Sequence, residues 1–169
     1  GRIFRILSID SKKNIKLVRE ESDALFGQDE AENYNDTLMK AWLNDYKEEN
    51  GGIYYNTLNN QDMYLTKSTI CTDEIDDVEN ITCNDEDKSD YIALLSLNDY
   101  KLSGGAEGFL NNGETFWLLS RNTENKFWNV VEDGGLNVLE KTSSFNGVRP
   151  VLTLRYDTPV FGGKGTKTN

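Results

Sequence analysis

Histidine is absent from the chain. That excludes a Ser-His-Asp or Cys-His catalytic unit and any histidine-bearing zinc site. It also removes the side chain best suited to proton transfer near neutral pH, which argues against ordinary hydrolase chemistry, although carboxylate-only mechanisms survive it. Cysteine is scarce: Cys71 and Cys83 are the two present. Two thiols cannot make a four-cysteine zinc site, and their spacing is not a Cys-x-x-Cys redox motif. One reading is a disulfide across a short acidic loop, which implies an oxidising compartment. The other is two unrelated buried thiols in a cytosolic protein. Two prolines and 14 glycines rule out collagen-like or proline-rich linker composition. Long apolar runs are missing as well. Tyr91-Ile92-Ala93-Leu94-Leu95 is among the longest and is far too short to span a bilayer, so no direct membrane insertion of this fragment is expected. Positive charge is short too: 18 Lys and Arg face 29 Asp and Glu, for a net charge of -11. Such a surface repels a phosphate backbone and anionic headgroups, so nucleic acid is not an expected partner.

What is present suffices for one folded domain. The chain has 169 residues, 37% of them hydrophobic, with seven Phe, eight Tyr and three Trp to fill a core. Residues 3–9 and 15–19 read as strands joined by the turn chemistry of Asp10-Ser11-Lys12-Lys13-Asn14, an N-terminal hairpin. Residues 20–35 read as a polar loop that carries Leu25 and Phe26 inward. Asn35 or Asp36 can then cap a helix whose apolar stripe is Leu38, Met39, Trp42, Leu43 and Tyr46, stopped by Glu48-Glu49-Asn50-Gly51-Gly52. Residues 54–65 form a weaker helical or irregular stretch, and 97–102 a turn or short helix. Residues 91–95, 115–120, 126–131, 136–139 and 148–156 are strand candidates. Asn111-Asn112-Gly113, Asp133-Gly134-Gly135 and Asn146-Gly147 supply turns between them. One or two helices early and short antiparallel strands late give a single α+β domain over 1–161. Residues 162–169 read as a flexible tail. The opening Gly1, with no methionine, reads as the trimmed start of a longer protein.

The loop 68–89 gathers Asp73, Glu74, Asp76, Asp77, Glu79, Asp85, Glu86 and Asp87. Clustered carboxylates repel unless they are solvated, protonated or bridged by a cation. Calcium on Asp73, Asp76 and Asp77 is one expectation, since it takes several oxygen ligands in flexible loops. A plain solvated loop is the other. The EF-hand spacing is not met. No other cofactor is implied.

Several segments follow one another in a familiar order. Arg5-Ile6-Leu7-Ser8-Ile9-Asp10 precedes Ile15-Lys16-Leu17-Val18-Arg19. Then come Leu38-Met39-Lys40-Ala41-Trp42-Leu43-Asn44, Ser68-Thr69-Ile70-Cys71 with Cys83, and Tyr91 through Tyr100. Phe116-Trp117-Leu118-Leu119-Ser120-Arg121 and Gly147-Val148-Arg149-Pro150-Val151-Leu152-Thr153-Leu154 close the series. Together they resemble a domain of unknown function common in secreted and pilin-like surface proteins of Gram-positive bacteria. The final third also resembles the C-type-lectin-like fold of formylglycine-generating enzymes and retroelement-diversified binding proteins. There a tryptophan-bearing strand and a closing Gly-x-Arg strand end the domain, roles that Trp117 and Gly147-Val148-Arg149 would take. The enzyme's chemistry needs cysteines late in the chain. None follows Cys83, so the oxidase activity is not carried over.

Trp117 and Arg149 read as structural, the first for its apolar neighbours and the second for its planar fork of donors. Trp128 reads either as core or as an exposed platform. A lectin-like fold places its binding face on the loops near the last strands. The ligand-binding candidates are then Arg121, Asn122, Asn125, Trp128, Glu132, Asp133, Lys141, Ser144 and Asn146, against the plainer reading of ordinary solvated loop residues.

The resemblance implies an extracellular, non-catalytic surface or pilus module that binds a host glycan or protein by adhesion. The alternatives are a purely structural subunit that contacts neighbouring pilus subunits, and a carboxylate-dependent glycosidase with two facing acids.

Overall fold

A computed structural model describes residues 1–27, 34–44, 52–58, 60–88, 90–139 and 145–159. Tyr46, the helix stop at 48–51 and the tail 162–169 lie outside the described residues. The chain is a single-domain α+β protein with mostly antiparallel strands and, among the described residues, four α-helices.

The first sheet starts from the hairpin of β1 (Phe4–Ile9) and β2 (Ile15–Arg19), antiparallel with Phe4 opposite Arg19 and Ile9 opposite Ile15. Asp10 sets the turn. Its carboxylate accepts the backbone N–H groups of Lys12 and Asn14 at 2.8 and 2.9 Å and the Asn14 side-chain amide at 2.9 Å. This side-chain mimic of a backbone turn leaves Lys13 at φ 68°.

The next strand is β3 (Ala24–Gly27), where the sequence suggests a loop with two inward side chains. In a strand successive side chains point to opposite faces. Phe26 accordingly packs against the core while Leu25 is 68% exposed.

Thr37 caps α1 (Leu38–Asn44) rather than Asn35 or Asp36: its hydroxyl accepts the Lys40 N–H at 3.1 Å. The expected stripe narrows to Met39, Trp42 and Leu43, because Leu38 in the first turn is 66% exposed. Asn44, the last described residue of α1, clamps Ile92, accepting its N–H at 2.8 Å and donating to its carbonyl at 2.5 Å. Residues 54–65 divide into α2 (Ile53–Asn56), α3 (Gln61–Tyr64) and the start of β4 (Leu65–Thr66).

The acidic region carries a two-stranded ribbon of β5 (Ile70–Cys71) and β6 (Glu86–Asp87), with the Cys71–Cys83 disulfide beside it. Of the apolar run at 91–95, only β7 (Ile92–Ala93) is strand. A capping box then opens α4 (Leu97–Leu102). Ser96 accepts the Asp99 N–H at 2.9 Å, and Asp99 accepts the Ser96 N–H at 3.2 Å.

The second sheet is built on β8 (Phe116–Arg121), whose first five residues are buried, as befits a central strand covered on both faces. Antiparallel to it lies β9 (Phe127–Val130), then β10 (Leu136–Leu139). On its other side β11 (Phe145–Val148) runs parallel to β8 and antiparallel to β3, giving the order β10-β9-β8-β11-β3.

The expected strand over 148–156 is therefore two strands in two sheets. After Arg149 and Pro150, β12 (Val151–Leu154) enters the first sheet, where it pairs with β2, β4 and β7. Pro150 cannot donate to a ladder, so the crossing falls where a ladder bond would be lost anyway. Asn146-Gly147 is likewise strand and not turn. A Cβ on Gly147 would meet the Ser22 Oγ at 2.0 Å and the Thr115 carbonyl at 3.0 Å. Glycine serves close approach at this position, a role indistinguishable from turn chemistry in sequence.

One core joins the sheets. Val18, Ile92, Val151 and Leu152 of the first sheet pack in the same cluster as Phe116, Trp117, Phe127 and Val148 of the second, with Met39, Leu43 and Tyr100 from the helices. Arg149, at the crossing, is 1% exposed. It donates from Nε to the Arg19 carbonyl at 2.9 Å and from Nη1 to the Leu110 carbonyl at 2.6 Å, and lies 4.6 Å above the Phe116 ring. Burial pulls its pKa down to about 10, so it stays charged at neutral pH. Among the described residues no helix is long and apolar enough to cross a membrane.

Candidate binding surfaces

The loops around β8 and β9 are fastened by the disulfide-closed segment. Ile75 donates its N–H to the Arg121 carbonyl at 2.8 Å, and the Trp128 indole donates to the Ile75 carbonyl at 2.9 Å. Glu74 pairs with the Arg121 guanidinium at 2.8 Å. The Asp76 carboxylate accepts the Thr123 N–H at 3.1 Å and its hydroxyl at 2.8 Å. Acids that look in the sequence like a free cluster thus bind the neighbouring hairpin.

The sequence-derived ligand candidates fall into this framework unevenly. Arg121 also donates to the Asn125 side-chain oxygen, and Asn125 sits at φ 60°. Asn122 is 9% exposed, and its side-chain oxygen accepts the N–H groups of Glu124 and Lys126 at 3.1 and 2.9 Å. Trp128 is half-buried against the core. Asn146 is 4% exposed on β11, and its side-chain amide nitrogen has no hydrogen-bond partner among the described residues. Glu132 and Asp133 are exposed at the β9–β10 turn, where Asp133 accepts the Gly135 N–H at 2.8 Å. Arg121, Asn122, Asn125 and Trp128 are brought together. Glu132 and Asp133 stand at a different turn, Asn146 faces the interior, and Lys141 and Ser144 lie outside the described residues.

The proposed calcium ligands all have protein partners. Asp73 accepts the N–H groups of Asn84 and Asp85 at 2.6 and 3.1 Å, and Asp76 holds Thr123. Asp77 accepts the Asn80 side-chain amide at 2.7 Å and the Glu79 N–H at 2.9 Å, and the Asn80 bond foremost pulls its pKa below the ordinary value. Cys71 and Cys83 lie beside Asp73, but their sulfurs form the disulfide and so are not thiolate ligands.

A second surface lies at one end of the first sheet. Ile15, at the start of β2, is opposite Leu154, the last residue of β12, and Leu154 is also opposite Leu65 of β4. The hairpin tip, the exit of β12 and the approach to β4 therefore converge. Between them is an open groove of about 660 Å³ lined by Lys12, Asn14, Asp62, Leu65, Thr66, Lys67, Tyr91, Arg155 and Tyr156.

Its frame is held by hydrogen bonds. Asn14 accepts the Tyr156 N–H at 3.1 Å, and Tyr64 accepts the Arg155 N–H at 2.8 Å. The Tyr55 and Tyr91 rings pack tilted at 39° with centroids 5.2 Å apart, and the Tyr55 hydroxyl donates to Asp62. Lys12 and Lys67 are exposed and ion-pair with no carboxylate among the described residues. Arg155 is fixed by two bonds to Asp157, at 3.0 and 2.6 Å. Tyr156 is 70% exposed. Sequence inspection misses these residues because they come from five separate segments.

The turn that carries Lys12 has its own pH dependence. The Asn14 side-chain amide foremost, with the Asn14 and Lys12 N–H groups, lowers the Asp10 pKa from the ordinary 3.8. A depressed carboxylate contributes stability that is present above its unfolded value and lost as pH falls through its folded value. The hairpin tip is thus expected to hold above pH 3.8 and loosen below it. In an NMR titration the Lys12 and Asn14 amides should shift with a midpoint below 3.8, and a midpoint at or above that value contradicts the account.

No family model, curated protein or solved structure matches the chain.

Proposed function

We propose that the chain is a non-catalytic ligand-binding module that works outside the cell, as the contact domain of a surface or pilus protein. The groove at the end of the first sheet carries this reading: it is open, held by hydrogen bonds and edged by exposed Lys12, Lys67 and Tyr156, side chains that serve contact rather than bond-making. The Cys71–Cys83 disulfide supports an oxidising location. The finer C-type-lectin-like assignment draws support from Trp117 on β8 beside β11, the strand that runs into Arg149. Partners of this module are a host glycan or an extracellular protein.

A second reading, a structural subunit that packs against its neighbours, is favoured by one observation. β1, an edge strand among the described residues, and the residue before it expose Ile3, Ile6 and Ile9 at 46, 59 and 58%. An open, apolar strand edge is a template for association. An array of glycans and matrix proteins, run with sedimentation of the same sample, separates the two. Binding by a monomer is the expected result. No hits, together with self-association, replaces the first reading by the second.

A further inference from the structure

We infer that the groove takes an acidic saccharide, its carboxylate or sulfate groups held by Lys12, Lys67 and Arg155 and a sugar ring laid against Tyr156. This rests on the binding-module reading and names the ligand for it.

The chain as a whole carries a net charge of -11, yet the described residues lining the groove include Lys12, Lys67 and the Asp157-bonded Arg155 against one lining carboxylate, Asp62. Asp62 already accepts the Tyr55 hydroxyl, so part of its hydrogen-bonding capacity is spent inside the protein. Lys12 and Lys67 make no ion pair among the described residues, so an incoming anion displaces no internal partner from them. Arg155 keeps Asp157 beside it, which leaves the two lysines as the main anion contacts. A smaller hollow of about 220 Å³ adjoins the groove and shares Asn14, Thr66 and Lys67. It adds Lys88, whose charge acts on Asp10, so the hollow is mixed in charge rather than cationic. Lys16 in that hollow is held by Asp99 at 2.9 Å, and Asp10 and Glu86 also line it. The mixture of charges there suits a saccharide with hydroxyls between its acids better than a uniformly charged polymer.

Tyrosine supplies the rest of the recognition. It presents a flat apolar face and a hydroxyl at little conformational cost. Tyr156 projects at the rim, while Tyr91 is half-buried and packed tilted against Tyr55. The groove is open rather than enclosed, as a chain-like ligand that runs through it requires.

The test measures binding of the whole chain to polygalacturonate, to dextran sulfate and to neutral dextran. Three variants are compared: Lys67→Glu in the groove, Tyr156→Ala at its rim, and Lys101→Glu on α4, outside the lining. Lys67 and Tyr156 are exposed, Lys101 is part-exposed and pairs with Glu79 at 3.2 Å, and Lys67→Glu and Lys101→Glu change net charge equally.

The expected result is binding to one or both acidic polymers and not to neutral dextran. Lys67→Glu should weaken it by about tenfold and Lys101→Glu by less than about twofold, since rim charges act locally under screening. Preference for polygalacturonate or for dextran sulfate identifies carboxylate or sulfate as the anion. Equal losses from the two charge reversals would mean attraction by overall charge and overturn the site. Neutral dextran bound as well as the acidic polymers, with loss only in Tyr156→Ala, overturns the acidic ligand and leaves the binding module standing. Absence of saccharide binding overturns this inference. If the array is also blank and the protein self-associates, the binding-module reading fails with it.

Discussion

Arg149→Met is expected to lower the unfolding free energy by about 3 kcal/mol or more, the cost of breaking a buried, hydrogen-bonded charge. The guanidinium spans three parts of the chain. Its Nε bond reaches the end of β2 through the Arg19 carbonyl, its Nη1 bond reaches Leu110, and its own backbone joins β11 to Pro150 and β12. Methionine fills much of the volume but donates nothing, so two carbonyls lose their side-chain donor, at about 1–3 kcal/mol for each one left unsatisfied. Glu20 and Glu114 lose the nearby positive charge as well. Both keep partners: Glu20 retains the paired Arg5 at 2.9 Å, and Glu114 retains the Ser22 N–H and hydroxyl, each at 2.9 Å. The loss is therefore moderated, not doubled. Arg149→Lys should fall between wild type and Arg149→Met, because one ammonium lacks the planar fork that serves both carbonyls. Denaturant midpoints at neutral pH give the comparison. A loss below about 1 kcal/mol in Arg149→Met would assign the crossing between sheets to packing alone.

Removing the disulfide, by the paired change Cys71→Ser and Cys83→Ser, is expected to cost about 3 kcal/mol on loop-closure grounds, or roughly 6–12 °C in melting temperature at this chain length. The cysteines are 12 residues apart in sequence. Between them lie Glu74, Ile75 and Asp76, which hold Arg121, Trp128 and Thr123. The crosslink thus keeps those groups near the hairpin they grip. Its loss should loosen the loop from β8 and β9 before the core opens. Trp128, whose indole bonds the Ile75 carbonyl, should report this as a fluorescence change at denaturant concentrations where the 1%-exposed Trp117 is still enclosed. Equal midpoints for the crosslinked and the serine protein would show that the segment is held by its side-chain contacts without help from the covalent bond.

The sequence revealed the parts whose physics is local. The alternation in β1 and β2 and the Asp10-to-Asn14 turn define a hairpin because an Asx turn and a period of two are both short-range signals. Two cysteines flanking one polar loop allow a disulfide or two separate thiols, and the structure has the disulfide. The early helix was visible in Met39, Trp42 and Leu43, although its cap was placed on Asn35 or Asp36 instead of Thr37.

The rest depends on contacts between distant segments. Leu25 read as inward until β3 was paired with β11, which fixes its face. Gly147 read as a turn because nothing nearby in sequence announces Ser22 and Thr115 against its Cα. Residues 148–156 read as one strand because the change of sheet at Arg149 and Pro150 is a tertiary event. The same limit applies to the surfaces. Arg121, Asn125 and Trp128 were grouped as neighbours, yet the acids that engage or flank them come from some fifty residues earlier in the chain, as the Glu74–Arg121 pair shows. The groove at the end of the first sheet has no sequence signature, since Lys12, Lys67 and Arg155 meet through the pairing of β2, β4 and β12 alone.

Hydrogen exchange of the whole chain with and without saturating polygalacturonate or dextran sulfate shows which surface the molecule uses. Slower exchange is expected at the hairpin tip around Lys12 and Asn14, at Thr66 and Lys67, and at Arg155 and Tyr156, with the β8–β9 and β9–β10 turns unchanged. Protection confined to residues 121–137, with the groove segments exchanging as in the free protein, would contradict the account.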